Sequence, residues 1–213
     1  MNGNHSMFES LESRTLFSAA SLAADRLAVQ AAVLQEATQA NANASTLLAD
    51  RQAVVQYDIS GNSTIGPLVA QFKSDAAASA LTLQSDRLTQ ASNVDAAQAV
   101  ALTAKAAVIA DVGTDAEAGA LATFYTDKAA VQQAFINGLN QRITDRNAEY
   151  ATLFSDAQAI ESALSGSGLS DAAQAAVTQY TGDKLSALTS LTTDLQGVIS
   201  ARTTLMTALN DAA

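Results

Sequence analysis

From Thr114 to Leu164 the chain contains no proline, and its larger apolar residues fall at a restricted set of positions. They are Leu121, Phe124, Val131, Phe135, Leu139, Ile143, Tyr150, Leu153, Ala157, Ile160 and Leu164. Steps of three, four and seven place side chains on one face of a helix, whereas a strand would need steps of two. Half of the aromatic residues lie in this stretch: Phe124, Tyr125, Phe135, Tyr150 and Phe154. Thr114-Asp-Ala-Glu117 precedes it and reads as a capping box, with Thr114 as N-cap and Glu117 at the third helical position. A helix this long with one narrow apolar face is unstable alone, so the rest of the chain must cover that face.

The remainder divides into three similar segments. Helix one is expected from Ser18 to Tyr57, with a stripe of Leu22, Val29, Val33, Ala40, Ala44, Leu47 and Val55. The single proline, Pro67, suits the first position of helix two, which runs on to Asp111. There Leu81, Leu88, Leu102 and Ile109 fall at multiples of seven with Asp95 in the missing seat, and Ser92-Asn93 marks a kink or a break. Gly113 fits a left-handed helix end. After Ser165-Gly-Ser-Gly168, Ser170 caps helix four, where Leu188, Leu191, Leu195, Val198, Arg202, Leu205 and Leu209 keep a strict 3-4 spacing. The fold class expected is all-α: an elongated, alanine-rich, coiled-coil-like four-helix bundle, up-down-up-down. Helices of roughly 40 residues would each span on the order of 60 Å. Residues 1–17 form a flexible N-terminal segment in this reading, and 18–213 a single bundle domain.

The string Asp-[Arg/Lys]-x-Ala-Val occurs at Asp25, Asp50 and Asp127, and Asp-[Arg/Lys] alone at Asp86, Asp145 and Asp183. Asp-Ala-Ala-Gln-Ala occurs at Asp95 and again at Asp171. Two related hairpins would produce such copies, and so would convergence in an alanine-rich chain. Arg26, Lys128, Arg146, Lys184 and Arg202 lie on or beside the apolar stripes. Snorkelling stems over the seam account for them more simply than a row of sites for an anionic partner.

A net charge of −10 argues against nucleic acid and anionic lipid as partners. No apolar run is long enough for a transmembrane helix. There is no cysteine, and His5 is the single histidine, which removes thiolate sites and histidine-based triads. Gly166-Ser-Gly168 lacks the strand and lysine of a phosphate loop. Asp145 with Glu149, or Asp111 with Asp115, would need a cleft to act as catalytic carboxylates. Asp58-Ile-Ser-Gly-Asn-Ser resembles a calcium loop only in its alternating oxygens, and reads better as a turn. No catalytic, cofactor-binding or metal-binding residues are therefore assigned, and no cofactor or small-molecule substrate is expected.

The stretch Met7–Ala20 reads MFESLESRTLFSAA. Phe8, Glu9, Leu11, Glu12, Arg14, Leu16, Ser18 and Ala19 match the pattern FE-x-LE-x-R-x-LLSA, with Ser13 where proline is usual and Phe17 where leucine is usual. In this it resembles the LEPR-XLL type motif at the head of surface or exported proteins of planctomycetes and related bacteria. The resemblance covers that stretch alone and implies a sorting element and an extracellular or cell-surface address; without it, a cytoplasmic location stays open. The function expected is a non-enzymatic exported or surface helical protein with a structural or protein-interaction role. A protein partner or self-association would serve it. One alternative is a ligand-binding or sensor-like bundle with a small molecule near Phe124, Phe135, Tyr150 and Tyr180. Another is a subunit of an extracellular filament, suggested by a composition similar to that of flagellin-like proteins.

Overall fold

The computed structural model describes the backbone of residues 5–213 and the side chains of residues 21–213. The N-terminal motif, Phe8 to Ala19, lies outside the residues whose side chains are described. Four long helices make up the fold: α1 (His5–Gln56), α2 (Ile65–Asp111), α3 (Glu117–Leu164) and α4 (Asp171–Asp211), with a short 3-10 turn at Ile59–Gly61. No strand occurs among the described residues. The helices pack as an all-α four-helix bundle through α2–α3, α1–α4 and α3–α4 contacts.

The helix ends follow local hydrogen-bonding needs. Asn62 accepts the Thr64 and Ile65 N–H groups at 2.9 Å each and so caps α2. Pro67 is consequently inside the first turn rather than opening it. Gly113 has φ 78 and ends α2 in the left-handed region. Thr114 Oγ1 accepts the Ala116 N–H, but Glu117 accepts the N–H of Gly113, not of Thr114, at 2.7 Å. The capping pair expected at Thr114 is thus displaced, and α3 opens at Glu117 itself. Ser170 caps α4 through the Ala173 N–H. α2 passes through Ser92-Asn93 without a break.

Parts of all four helices contribute to each of two compact units. Unit 1 holds the chain up to Val33, Thr89–Leu139 and Gly197–Ala213; unit 2 holds Leu34–Leu88 and Asn140–Gln196. In unit 2 the core gathers Val54, Ile59, Ile65, Val69, Phe72, Leu153, Ile160, Val177, Tyr180 and Leu188. Phe72 meets Tyr180 edge-to-face at 5.6 Å. Asp75 and Asp86 of α2 face Asp156 and Asp145 of α3, so these helices run antiparallel.

Unit 1 has two smaller cores. Leu22, Val29, Ala129, Leu205 and Leu209 form one, and Val94, Ala101 and Val131 the other. Here α2 and α3 approach closely at Gly138, where a Cβ would lie 2.5 Å from Gln90 Cγ. Gln90 lies across the glycine and donates to the Phe135 carbonyl at 3.0 Å. The seam expected on α4 is the one observed, with Leu188, Leu195, Val198, Leu205 and Leu209 buried.

Candidate interaction surface

The stripe expected inside on α2 lies outside. Leu81, Leu88, Leu102 and Ile109 on α2 are 62–68% exposed. The buried residues of α2 are instead Ile65, Gly66, Val69, Phe72, Ala76, Gln90, Val94, Ala101 and Ala104. Much of that inner face is alanine, which fits a close helix contact but carries little hydropathy, so the leucines dominated the sequence signal. On α1, Leu22, Val29, Ala40 and Leu47 of the expected stripe are buried or half-buried, and Val33, Ala44 and Val55 are exposed. Its inner face at intervals of seven is Leu22, Val29, Glu36, Asn43 and Asp50, half-buried or buried. Its outer face carries Leu27, Leu34, Leu48 and Val55, all 59–72% exposed. Among the described residues α3 exposes only Tyr150 and Phe154 of its large apolar side chains, and α4 none. The exposed residues of α1 and α2 recur at every second turn along one face of each helix, which makes the two faces candidates for interaction.

Beside its apolar core, unit 2 also has a polar stretch of interior. Asn43 donates to Ser190 at 3.0 Å and Gln35 to Asp194 at 2.9 Å, joining α1 to α4. On α3 the seam passes through Arg142, Arg146 and Glu149, all buried, where Ile143 and Tyr150 were expected. Glu149 accepts from Lys184 at 2.8 Å, and Glu36 lies 3.8 Å from Arg142. Burial lowers both arginines below their ordinary range, Glu36 opposing it. In unit 1 the Arg202 guanidinium stacks over Phe135 at 3.7 Å and donates to Gln132. Arg146, Lys184 and Arg202 therefore serve the interior rather than a cationic docking row.

Aspartates of the Asp-[Arg/Lys] repeat meet across helices. Asp50 of α1 faces Asp183 of α4, and Asp86 faces Asp145. Asp75 and Asp156, outside the repeat, form a third pair. Burial, and then the facing carboxylate, raise Asp50, Asp86 and Asp156 above the usual carboxylate value of 3.8. One oxygen of each of these three has no hydrogen-bond partner. A proton held between two such carboxylates would supply the missing bond. Asp145 and Glu149, weighed as a catalytic pair, are thereby committed to separate partners on different helices.

The four aromatics considered for a ligand do not line one cavity. Phe124 lies beside Lys128, and Phe135 under Arg202, in unit 1. In unit 2 Tyr180 is buried on Phe72, while Tyr150 stacks on Phe154 at 5.9 Å on the surface. A groove of about 160 Å³ lies among Phe154, Ile160, Leu164, Thr181 and Leu185, below the roughly 300 Å³ of typical small-molecule sites. A larger cleft beside Tyr150, about 390 Å³, is open and lined by Asn147, Leu188, Thr189, Thr192, Thr193 and Gln196 besides that tyrosine. No group of three or more carboxylates or histidines suited to a metal ion occurs among the described residues, and no described helix is long and apolar enough to cross a membrane.

The fold defines a class, the all-α four-helix bundle with long helices. No protein-family model, curated protein or solved structure matches the chain.

Proposed function

We propose that this protein is a non-enzymatic helical interaction module that works through the outward faces of α1 and α2. The observation that carries the reading is the row of exposed large apolar side chains on each of those helices. Leucine and isoleucine face water while Glu36, Asn43, Asp50 and Gln90 face the bundle. A chain selected only for folding would gain by the reverse arrangement, since each leucine buried is worth about 1.5–3 kcal/mol. The resemblance of Phe8–Ala19 to an export motif supports an extracellular or cell-surface setting for this role.

The test is site-specific photo-crosslinking in the source cells. A crosslinker at Leu34 or Leu102 is expected to give discrete adducts, while one at Ser162, an exposed residue on α3, gives none. Equal yields from all positions would overturn the reading. Fractionation of the same cells tests the setting: recovery from the envelope or medium is expected, and recovery wholly from cytosol would remove the export part of the proposal.

A further inference from the structure

Unit 2 carries a groove that the faces of α1 and α2 do not use. It runs between α3 and α4 and lies wholly within that unit. The 160 Å³ groove beside Phe154 and the 390 Å³ cleft beside Tyr150 adjoin a third opening of about 370 Å³. That opening shares Leu185 with the first, and Tyr150 and Thr189 with the second. On α4 the lining extends from Thr178 to Gln196, about 27 Å at 1.5 Å per residue. A compact ligand finds no enclosed pocket here, but a chain laid along the groove has a continuous seat.

We infer that this groove binds an extended neutral glycan, which stacks on Tyr150 and Phe154 and hydrogen-bonds to the hydroxyl wall of α4. The two rings lie with their planes 10° apart and are 37% and 43% exposed. Aromatic faces in one orientation suit the C–H face of a sugar ring, whose slightly positive hydrogens meet the negative face of the π system. The wall opposite supplies acceptors. Thr189, Thr192 and Thr193 donate to the carbonyls of Leu185, Leu188 and Thr189. Each hydroxyl has thus spent its proton and keeps an acceptor site, so the ligand must donate. The exposed amides of Asn147 and Gln196 both donate and accept. Glu161 is the single charged residue among those lining the three openings, and a chain of net charge −10 repels an anionic ligand. A polyol with an apolar face meets all of these conditions. The apolar side of a peptide helix does not, because it would cover the threonine oxygens and give them no donor. The groove is separate from the α1 and α2 faces, so this inference stands or falls apart from the interaction reading.

The test is isothermal titration calorimetry of the full chain with cellohexaose, maltohexaose and the N-acetylglucosamine hexamer of chitin, with saturation-transfer NMR on the same solutions. At least one of them is expected to bind with a Kd on the order of 0.1–1 mM. Saturation should reach its C–H protons, which lie against the rings. Replacing both Tyr150 and Phe154 by alanine is expected to weaken binding by at least about tenfold, whereas Tyr150→Phe, which keeps the ring, costs no more than about threefold. Gly182→Leu tests the other wall without touching α3. Gly182 lines the groove and a Cβ there meets no atom within 4 Å, so the leucine fills the groove while favouring the helix. It is expected to abolish binding with the melting temperature, read by circular dichroism, unchanged or raised. No binding of any of the oligosaccharides, or a Gly182→Leu variant that binds as tightly as the unaltered chain, would overturn the proposal. So would full affinity in the double-alanine variant.

Discussion

Asp50 shows how a single side chain sets a property of its surroundings. It is 8% exposed, one oxygen lacks a partner, and its neighbour across the helix contact is another carboxylate. Asp50→Asn supplies an N–H to Asp183 without a proton from water. It should stabilise the protein by about 1 kcal/mol at neutral pH and by little in acid, as read from urea unfolding midpoints. The buried ion pair obeys a different rule. Glu149→Ala strands Lys184 and leaves Arg146 with one fewer anion nearby, so a loss of about 3 kcal/mol is expected. Arg146→Met, which removes a buried charge whose Nε has no partner, should be neutral or stabilising in the same assay. The Asp-[Arg/Lys] repeat was readable in the sequence. Its pairing was not, because which aspartate faces which depends on the register between helices, and no single helix encodes that.

At the scale of the element, existence and ends were largely legible while facing was not. Gly113 and Ser170 act through contacts within a few residues of themselves, so their roles follow from local sequence. On α2 the inward face is chosen by what α3 can accept, and Gly138 accepts the stem of Gln90 where a leucine pattern pointed elsewhere. Gly138→Ala therefore tests the contact against propensity. An alanine favours the helix by about 1 kcal/mol, but its Cβ meets Gln90, so a net loss of stability is expected. Gly197, inside α4 with open space around its Cα, is the control. Gly197→Ala should raise the unfolding free energy by about 0.5–1 kcal/mol in the same urea series.

For the whole molecule, the three aspartate pairs give stability an unusual slope against pH. In each pair one member, Asp50, Asp86 or Asp156, is raised in the folded state, so the folded chain holds protons there that the unfolded chain has already released. Stability then falls as pH rises from the ordinary value of 3.8 through the raised ones, the reverse of the behaviour of a salt-bridged carboxylate. The net charge of −10 adds repulsion in the same direction. Melting temperature is expected to be higher near pH 4 than near pH 7.5. In an Asp50→Asn, Asp86→Asn, Asp156→Asn variant that difference should shrink, and an unchanged slope would assign it to overall charge instead.

The edge-to-face seat of Tyr180 on Phe72 has an optical consequence. The chain has no tryptophan and only four tyrosines, so its near-ultraviolet absorption comes chiefly from phenol rings. Tyr180 belongs to the core of unit 2, Tyr125 packs against a core of unit 1, and Tyr57 and Tyr150 lie at the surface. Replacing the two surface rings by phenylalanine leaves one chromophore in each unit. The protein thus carries its own pair of probes, and the order in which its two units melt can be followed without any attached label.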